Sequence, residues 1–337
     1  MSLKRPLATI AFVAASSMAL AACGGSGDAA EPDADASTET VSFTWDRNIA
    51  GEDEEPEYES TTAEVPVNPE TVVTFDMASL DTVGALGGEV AGAPLESVPE
   101  YLAGYLSEDA FNAGTLFEAD LVEIEAQQPD LILISGRSSA LWEDLNEIAP
   151  TVDLSPAGTY LETLERNTDF IGEVFDAEEE ASAAVDDLLA QIEEVRTETA
   201  ELGTGLGVMV SGGSLSALAA SGGTEGGFTY RSGIMYDVFG VQPVIEDIQG
   251  ATHGEPVSFE FVLEQNPDHL FVIDRDQAIG TEDAEAAAAV LDNDIIDATT
   301  AASNDQIHYL NPVAWYIVYG GLDTTQVMID DVRAAVA

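Results

Sequence analysis

One unit occurs twice in this sequence, and it restricts the fold more than any other feature. Residues 122–137 read VEIEAQQPDLILISGR, and residues 260–275 read EFVLEQNPDHLFVIDR. Each copy holds a helical stretch, then Pro129-Asp130 or Pro267-Asp268, then an apolar run. Arg137 and Arg275 follow at the same offset from their Pro. Pro cannot extend a helix and Asp favours a turn, so the dipeptide separates helix from strand in both copies. A chain that repeats this unit in its two halves builds two related α/β lobes.

Other short β-type runs fit that scheme: Val72–Phe75, Val208–Ser211 and Ile307–Leu310, with helix-period segments between them. The alternation predicts parallel sheets. Between the halves, residues 177–200 carry Ala181, Ala184, Val185, Leu188, Ile192 and Val195 at helical spacing, with no Gly or Pro between Gly172 and Gly203. Such a helix suits a rigid strut between lobes; periodicity alone also allows a long surface helix within one domain. In open α/β sheets ligands bind beyond the carboxyl ends of the strands. Arg137 and Arg275 sit just past two such ends, so facing lobes would bring both guanidinium groups to one cleft and an anion.

Charge makes those arginines conspicuous. The chain has nine Lys and Arg against 64 Asp and Glu, a formal net charge of −55. Nucleic-acid binding through basic patches is excluded, and so is a polybasic membrane contact. A charge of this size suits salt-rich surroundings, where cations screen self-repulsion. One Cys excludes a disulfide framework and a Cys-based zinc site. No G-x-S-x-G elbow surrounds a Ser, and the only Lys, Lys4, rules out a phosphate-binding loop in the body. The Gly-rich stretch 203–227 lacks G-x-G-x-x-G spacing and reads as turns around a strand. Nothing indicates an enzyme.

The beginning of the chain has a different character. Lys4 and Arg5 precede an apolar run from Leu7 to Ala22, too short and interrupted for a comfortable membrane span. It closes on Leu20-Ala21-Ala22-Cys23-Gly24, which resembles a lipoprotein export signal. Cleavage before Cys23 and lipidation of its side chain are expected. Residues 24–40 hold no bulky apolar side chain and read as a flexible acidic tether. The expected division is a signal over 1–22, tether and lead-in over 23–58, an N-terminal lobe over 59–176, the linking helix over 177–202 and a C-terminal lobe over 203–337.

Across residues 60–337 the sequence resembles the substrate-binding lipoproteins of iron-siderophore ABC importers, most closely the ferric-catecholate group that binds petrobactin and enterobactin. The resemblance is carried by VPVNPETVVTFDMASLDTVGALG (65–87), PDLILISGRSS (129–139), IAPTVDLS (148–155), THGEPVSFEFVLEQNPDHLFVIDR (252–275) and LNPVAWYIVYGG (310–321). It implies two α/β lobes joined by one long helix, with the ligand between them. It implies three cleft arginines around the anionic ferric complex, matching Arg137 in SGRSS, Arg231 in TYRSG and Arg275 in IDRD. Planar guanidinium forks suit catecholate oxygens. It further implies direct iron coordination by His253 in THGE and Tyr316 in AWYIV. Fe(III) is hard and takes phenolate and imidazole ligands, completing six-coordination when a linear siderophore offers two catechols. His269 and His308 read as strand histidines instead.

The same resemblance implies permease docking through one acidic residue on each lobe. Glu260 matches in the C-terminal lobe; the equivalent offset gives Val122 in the N-terminal lobe, beside Glu123. The expected protein is a monomer outside the cytoplasm, lipid-anchored at Cys23 and without intrinsic cofactor, its ligand an Fe(III)-siderophore complex. The alternative cargoes on this fold are haem, cobalamin, or a hydroxamate or citrate siderophore. A siderophore hydrolase or reductase, or an adhesive lipoprotein, are the readings of another class.

Overall fold

The computed structural model describes residues 39–50, 57–220, 233–248 and 253–337. Cys23 and Arg231 lie outside these residues. The N-terminal lobe is built on strands β3 (Val72–Thr74), β4 (Val90–Ala93), β5 (Leu106–Asn112), β6 (Leu131–Ile134) and β7 (Thr151–Asp153), with helices α1 (Met77–Ala85), α2 (Leu121–Gln127) and α3 (Tyr160–Val174). The sheet order is β5-β4-β3-β6-β7, and every pairing is parallel. Strand β6 shows why the sequence reads as an unbroken apolar run. Leu131 and Leu133 join a core with Leu80 of α1 and Ile171 of α3, while Ile132 and Ile134 face Ile124 and Leu145 on the other side. A strand covered on both faces needs apolar residues at every position.

Helix α4 (Glu178–Thr199) follows, at about 1.5 Å per residue some 33 Å long. Its buried residues Ala181, Val185, Leu188, Ile192, Val195 and Thr199 keep the three- and four-residue spacing read from the sequence. Its start packs so closely on α3 that a Cβ on Gly172 would meet Ala181 Cβ at 2.7 Å. Its end is tied to a different part of the chain: Arg196 donates to the carbonyls of Asp237 and Val238, and the Thr199 hydroxyl to that of Phe239.

The second sheet holds β8 (Thr204–Ser211), β9 (Ser214–Ala217), β10 (Gln242–Pro243), β11 (Glu255–Val257), β12 (His269–Asp274) and β13 (Ile307–Tyr309), with α5 (Phe259–Gln265) before β12 and α6 (Leu322–Val336) closing the chain. The order is β11-β9-β8-β12-β13, with β10 also on β8. Strands β8, β10, β12 and β13 are parallel, as expected, but β9 and β11 add an antiparallel edge. The cause is local: Gly212 and Gly213, at φ 54° and 74°, form a two-residue turn that returns the chain as a hairpin.

The duplicated unit is structural. Helices α2 and α5 start on the side-chain caps Asp120 and Ser258 and end on left-handed Gln128 and Asn266. The Asp of each Pro-Asp pair then anchors the start of a neighbouring strand. Asp130 Oδ2 accepts from the N–H of Glu70 and Thr71, and Asp268 Oδ2 from the N–H and hydroxyl of Thr204. Those bonds to Thr204 hold the Asp268 carboxyl below its usual range. Asp268→Ala is expected to cost about 1 kcal/mol of unfolding free energy at pH 7. Because the pKa is depressed, the difference from wild type is present above about pH 4 and vanishes as pH falls through the folded value, checked by urea unfolding at pH 7 and pH 3.

Two segments depart from the expected division. Residues 40–48 fall in the stretch assigned to tether and lead-in, yet form β1 (Thr40–Asn48), paired antiparallel with β2 (Tyr58–Pro66). Phe43 and Trp45, on one face of β1, are buried against Phe170 and Trp142. Helix α6, assigned to the C-terminal lobe, also reaches α1. Asp81 of α1 accepts from the N–H groups of Asp323 and Thr324 at 2.8 and 2.7 Å, satisfying first-turn donors that have no partner within their own helix.

Candidate functional site

Each arginine of the duplicated unit sits in the first turn beyond its strand. Arg137 lies in the tight turn Gly136–Leu141 after β6, entered through Gly136 at φ 35°. Arg275 opens the short helix Arg275–Ala278 after β12, whose N-cap Asp274 accepts from Gln277 N–H. Both reach toward one element, the π-helical turn Ala314–Val318, which carries Tyr316. Side chains fix that turn in place. Asn311 Oδ1 accepts from the N–H groups of Val313 and Ala314, and Asp331 Oδ2 of α6 accepts from Asn311 N–H and Trp315 Nε1. Burial raises the Asp331 pKa against the lowering effect of these bonds. Trp315 is thereby held in the core, and Tyr316, next in the chain, is buried beside it with its hydroxyl reaching Arg275 and His253.

The Tyr316 hydroxyl is the meeting point. Arg275 Nε donates to it at 2.7 Å, and His253 Nε2 lies 3.0 Å from it. The hydroxyl oxygen accepts from Arg275, so it stands between a cationic donor and the His253 ring nitrogen. The Arg275 guanidinium also stands 5.5 Å from the Tyr316 ring centre. Arg137 approaches the same turn from the other lobe: Nη1 and Nη2 donate to the carbonyls of Ile317 and Tyr316, each at 3.0 Å, and its guanidinium stacks 5.0 Å from the Tyr319 ring. Arg137, Arg275, His253 and Tyr316 thus converge although they are far apart in sequence.

Residues that the sequence did not flag complete the surroundings. Arg275 Nη1 donates to Ser211 Oγ at 3.1 Å, and Ser211 Oγ in turn donates to Asp276 Oδ1 at 3.1 Å. Asp276 is buried and also accepts from Gly212 N–H. Ser211 and Asp276 therefore set the direction of Arg275. The Gly-Gly pair at 212–213, flanked by β-type residues, was the available hairpin signal; nothing in the sequence tied it to Arg275.

Other expected residues fall elsewhere. Glu260 is exposed at the second position of α5, its pKa lowered by backbone and Ser258 hydrogen bonds. The first four positions of α2 match those of α5 in burial, which sets Glu260 against Val122, 81% exposed. Glu123 corresponds instead to half-buried Phe261; its carboxylate accepts from Gln127 Nε2 at 2.8 Å. His269 and His308 stack on β12 and β13 with their ring nitrogens 3.0 Å apart, at the opposite end of β12 from Arg275. Burial, then the neighbouring His269, lowers the His308 pKa to about 4. Among the described residues no helix is long and apolar enough to cross a membrane.

Comparison with known proteins places this geometry in context. Residues 72–314 match the family model described as periplasmic binding protein. The petrobactin-binding protein YclQ of Bacillus subtilis is 35% identical over 273 residues, 80% of this chain and 83% of that protein. A TroA-like periplasmic binding protein from Xylanimonas cellulosilytica has a crystal structure with TM-score 0.84 and 62% identity, covering 88% of this chain and 99% of the other. The periplasmic catecholate-siderophore binding protein VctP of Vibrio cholerae matches with TM-score 0.74 and 30% identity, over 88% of this chain and all (100%) of that one. The fold, the matched span and these relatives agree: the chain belongs to the periplasmic binding protein family, a family of extracytoplasmic substrate-binding proteins rather than enzymes.

Proposed function

We propose that this protein captures a ferric catecholate siderophore between its lobes and delivers it to an ABC permease. The observation that carries the proposal is the Tyr316 hydroxyl, held between Arg275 Nε and His253 Nε2 while Arg137 grips the same turn from the other lobe. The arrangement offers one phenol and one imidazole to a hard Fe(III) centre, with guanidinium groups beside them to offset catecholate charge. Relatives named for petrobactin and for catecholate siderophores support this ligand class. Arg231 is assigned to the same anion site by its TYRSG motif. Glu260 and Glu123 are assigned to permease docking.

The test is a titration of the mature protein with ferric complexes of a linear bis-catechol, a tris-catechol, a hydroxamate and citrate, followed by calorimetry. Tight binding is expected for the bis-catechol and weak or no binding for the last two. Preference for the hydroxamate or citrate complex overturns the ligand class.

Lipid attachment at Cys23 holds the protein at the outer face of the cell membrane. Cys23→Ala is expected to move the protein from the membrane fraction to the soluble fraction with ferric-siderophore affinity unchanged. Retention in the membrane after this substitution overturns the anchor.

A further inference from the structure

The two histidines away from the Tyr316 hydroxyl form a pair of their own. His269 opens β12, and His308 lies on β13, the edge strand of the same sheet. In the parallel register Phe271 faces His308, so His269, two residues before Phe271, shares a face with both. The two ring planes lie within 13° of each other, with His269 Nδ1 3.0 Å from His308 Nε2. The chain has only three His, and two of them meet here, at the end of β12 away from Arg275.

Each ring is placed differently. His269 is 9% exposed, and the backbone of Leu202, just before β8, also hydrogen-bonds it. Metal-ligating histidines are commonly fixed in this way, by a backbone group on the nitrogen that does not face the ion. His308 is partly exposed, so solvent reaches the pair from the open edge of the sheet. Burial lowers the pKa of both rings, which leaves them neutral at pH 7, the form that binds a metal. Asp268 beside His269 favours positive charge there, and a chain of net charge −55 gathers cations around it. In the metal-free protein an N–H···N bond accounts for the contact; an ion would take the place of its proton. An ion ~2.1 Å from two donors 3.0 Å apart sees them at about a right angle. That angle belongs to neighbouring ligands on a square-planar or octahedral ion, whereas tetrahedral zinc needs a wider one.

We propose that His269 and His308 form a binding site for a divalent transition-metal ion, copper(II) or nickel(II) in preference to zinc, which joins β12 to the edge strand β13. Among the described residues no cluster of three or more His, Cys, Asp or Glu is arranged to hold a metal, so water fills the remaining positions from the open edge. The site uses none of the residues assigned to the ferric siderophore and stands or falls independently of that reading.

The test uses the Cys23→Ala protein, which lacks the one thiol that could bind or reduce copper, with excess Mg(II) to occupy surface carboxylates. Calorimetry with Cu(II) is expected to show one tightly bound ion per chain. His308→Gln and His269→Gln are each expected to weaken it by roughly tenfold or more, at least the loss caused by removing an outer partner of a ligating His. Zn(II) is expected to bind more weakly than Cu(II). Electron paramagnetic resonance of the copper-loaded protein reads the ligands without any substitution, and splitting from two imidazole nitrogens is expected. His308→Gln is expected to keep the affinity for a ferric bis-catechol complex. Copper affinity that is unchanged in His308→Gln, or lost in His253→Gln instead, overturns the site, and so does a spectrum with oxygen ligands alone.

Discussion

Arg275→Ala is expected to weaken binding of a ferric bis-catechol complex by roughly 30-fold or more, about 2 kcal/mol, with the melting curve close to wild type. Removing one partner of a hydrogen-bonded charged contact typically costs 2–5 kcal/mol. The lower end applies because about a third (31%) of the Arg275 side chain is exposed and water screens its charge. Two effects act together. The guanidinium itself is lost, and the Tyr316 hydroxyl loses the donor that fixes it 2.7 Å from Arg275 Nε. Arg275→Lys separates them: it keeps the charge but cannot present Nε to Tyr316 and Nη1 to Ser211 at once, so intermediate affinity is expected. Calorimetric titration of the three proteins checks both statements. Equal affinity in all three would remove Arg275 from the ligand site.

The second large effect concerns Asp81, which is fully buried and holds the start of α6. Asp81→Ala leaves the N–H groups of Asp323 and Thr324 unpaired in the interior, and a loss of about 3 kcal/mol of unfolding free energy is expected. The carboxylate also titrates in an accessible range. Burial raises its pKa to about 7; hydrogen bonds from Thr324 and the N–H groups of Asp323 and Thr324 oppose the shift, while the neighbouring Asp323 charge adds to it. Tyr101 and Tyr105 pack beside it, bonded to Thr324 and Asp323 and themselves shifted upward. A group whose pKa is raised on folding contributes stability that is complete below its unfolded value, about 3.9, and is lost as pH rises through its folded value. Wild type is therefore expected to exceed Asp81→Asn in unfolding free energy by more at pH 5 than at pH 8, the gap narrowing by about 2 kcal/mol. Urea unfolding of both proteins at the two pH values measures it. A constant gap would mean that Asp81 does not titrate in this window.

Asp81 also bears on the ligand site through the chain. Tyr319 adopts the left-handed conformation, and Gly320 and Gly321 lead directly into α6. At Gly321, φ 86°, a Cβ would lie 2.6 Å from Asp81 Cγ, so only glycine permits this approach. The turn that carries Tyr316 is fixed on one side by Asp331 of α6 and continues on the other into the helix start that Asp81 holds.

The parts of this architecture that were legible in the sequence are those set by local chemistry. Pro-Asp after a left-handed residue ends a helix and begins a strand in both lobes, and it places Arg137 and Arg275 at corresponding strand ends. The spacing of Val185, Leu188, Ile192 and Val195 in α4 is likewise a property of one element. What was illegible depends on which elements meet. Phe43 and Trp45 alternate as strand residues should, but their partner β2 lies beyond an acidic stretch, and their burial depends on Phe170 and Trp142 much later in the chain. The position of α6 against α1 follows from Asp81, one carboxylate among 64 acidic residues. Arg137 read as an anion ligand, yet two of its N–H groups grip carbonyls of the Tyr316 turn, a backbone contact that no motif encodes. His253 and Tyr316 were nameable only by resemblance; their 3.0 Å contact supplies the physical reason for pairing them.

The central claim is that Tyr316 enters the coordination sphere of the bound iron. Visible absorption of a ferric bis-catechol complex, recorded free and bound to saturating protein, tests it most directly. In wild type the charge-transfer band is expected to shift on binding as a phenolate joins the metal. In Tyr316→Phe the complex should bind more weakly and show no phenolate contribution. A band that remains unchanged on tight binding to wild type, or that shifts identically in Tyr316→Phe, would contradict the account.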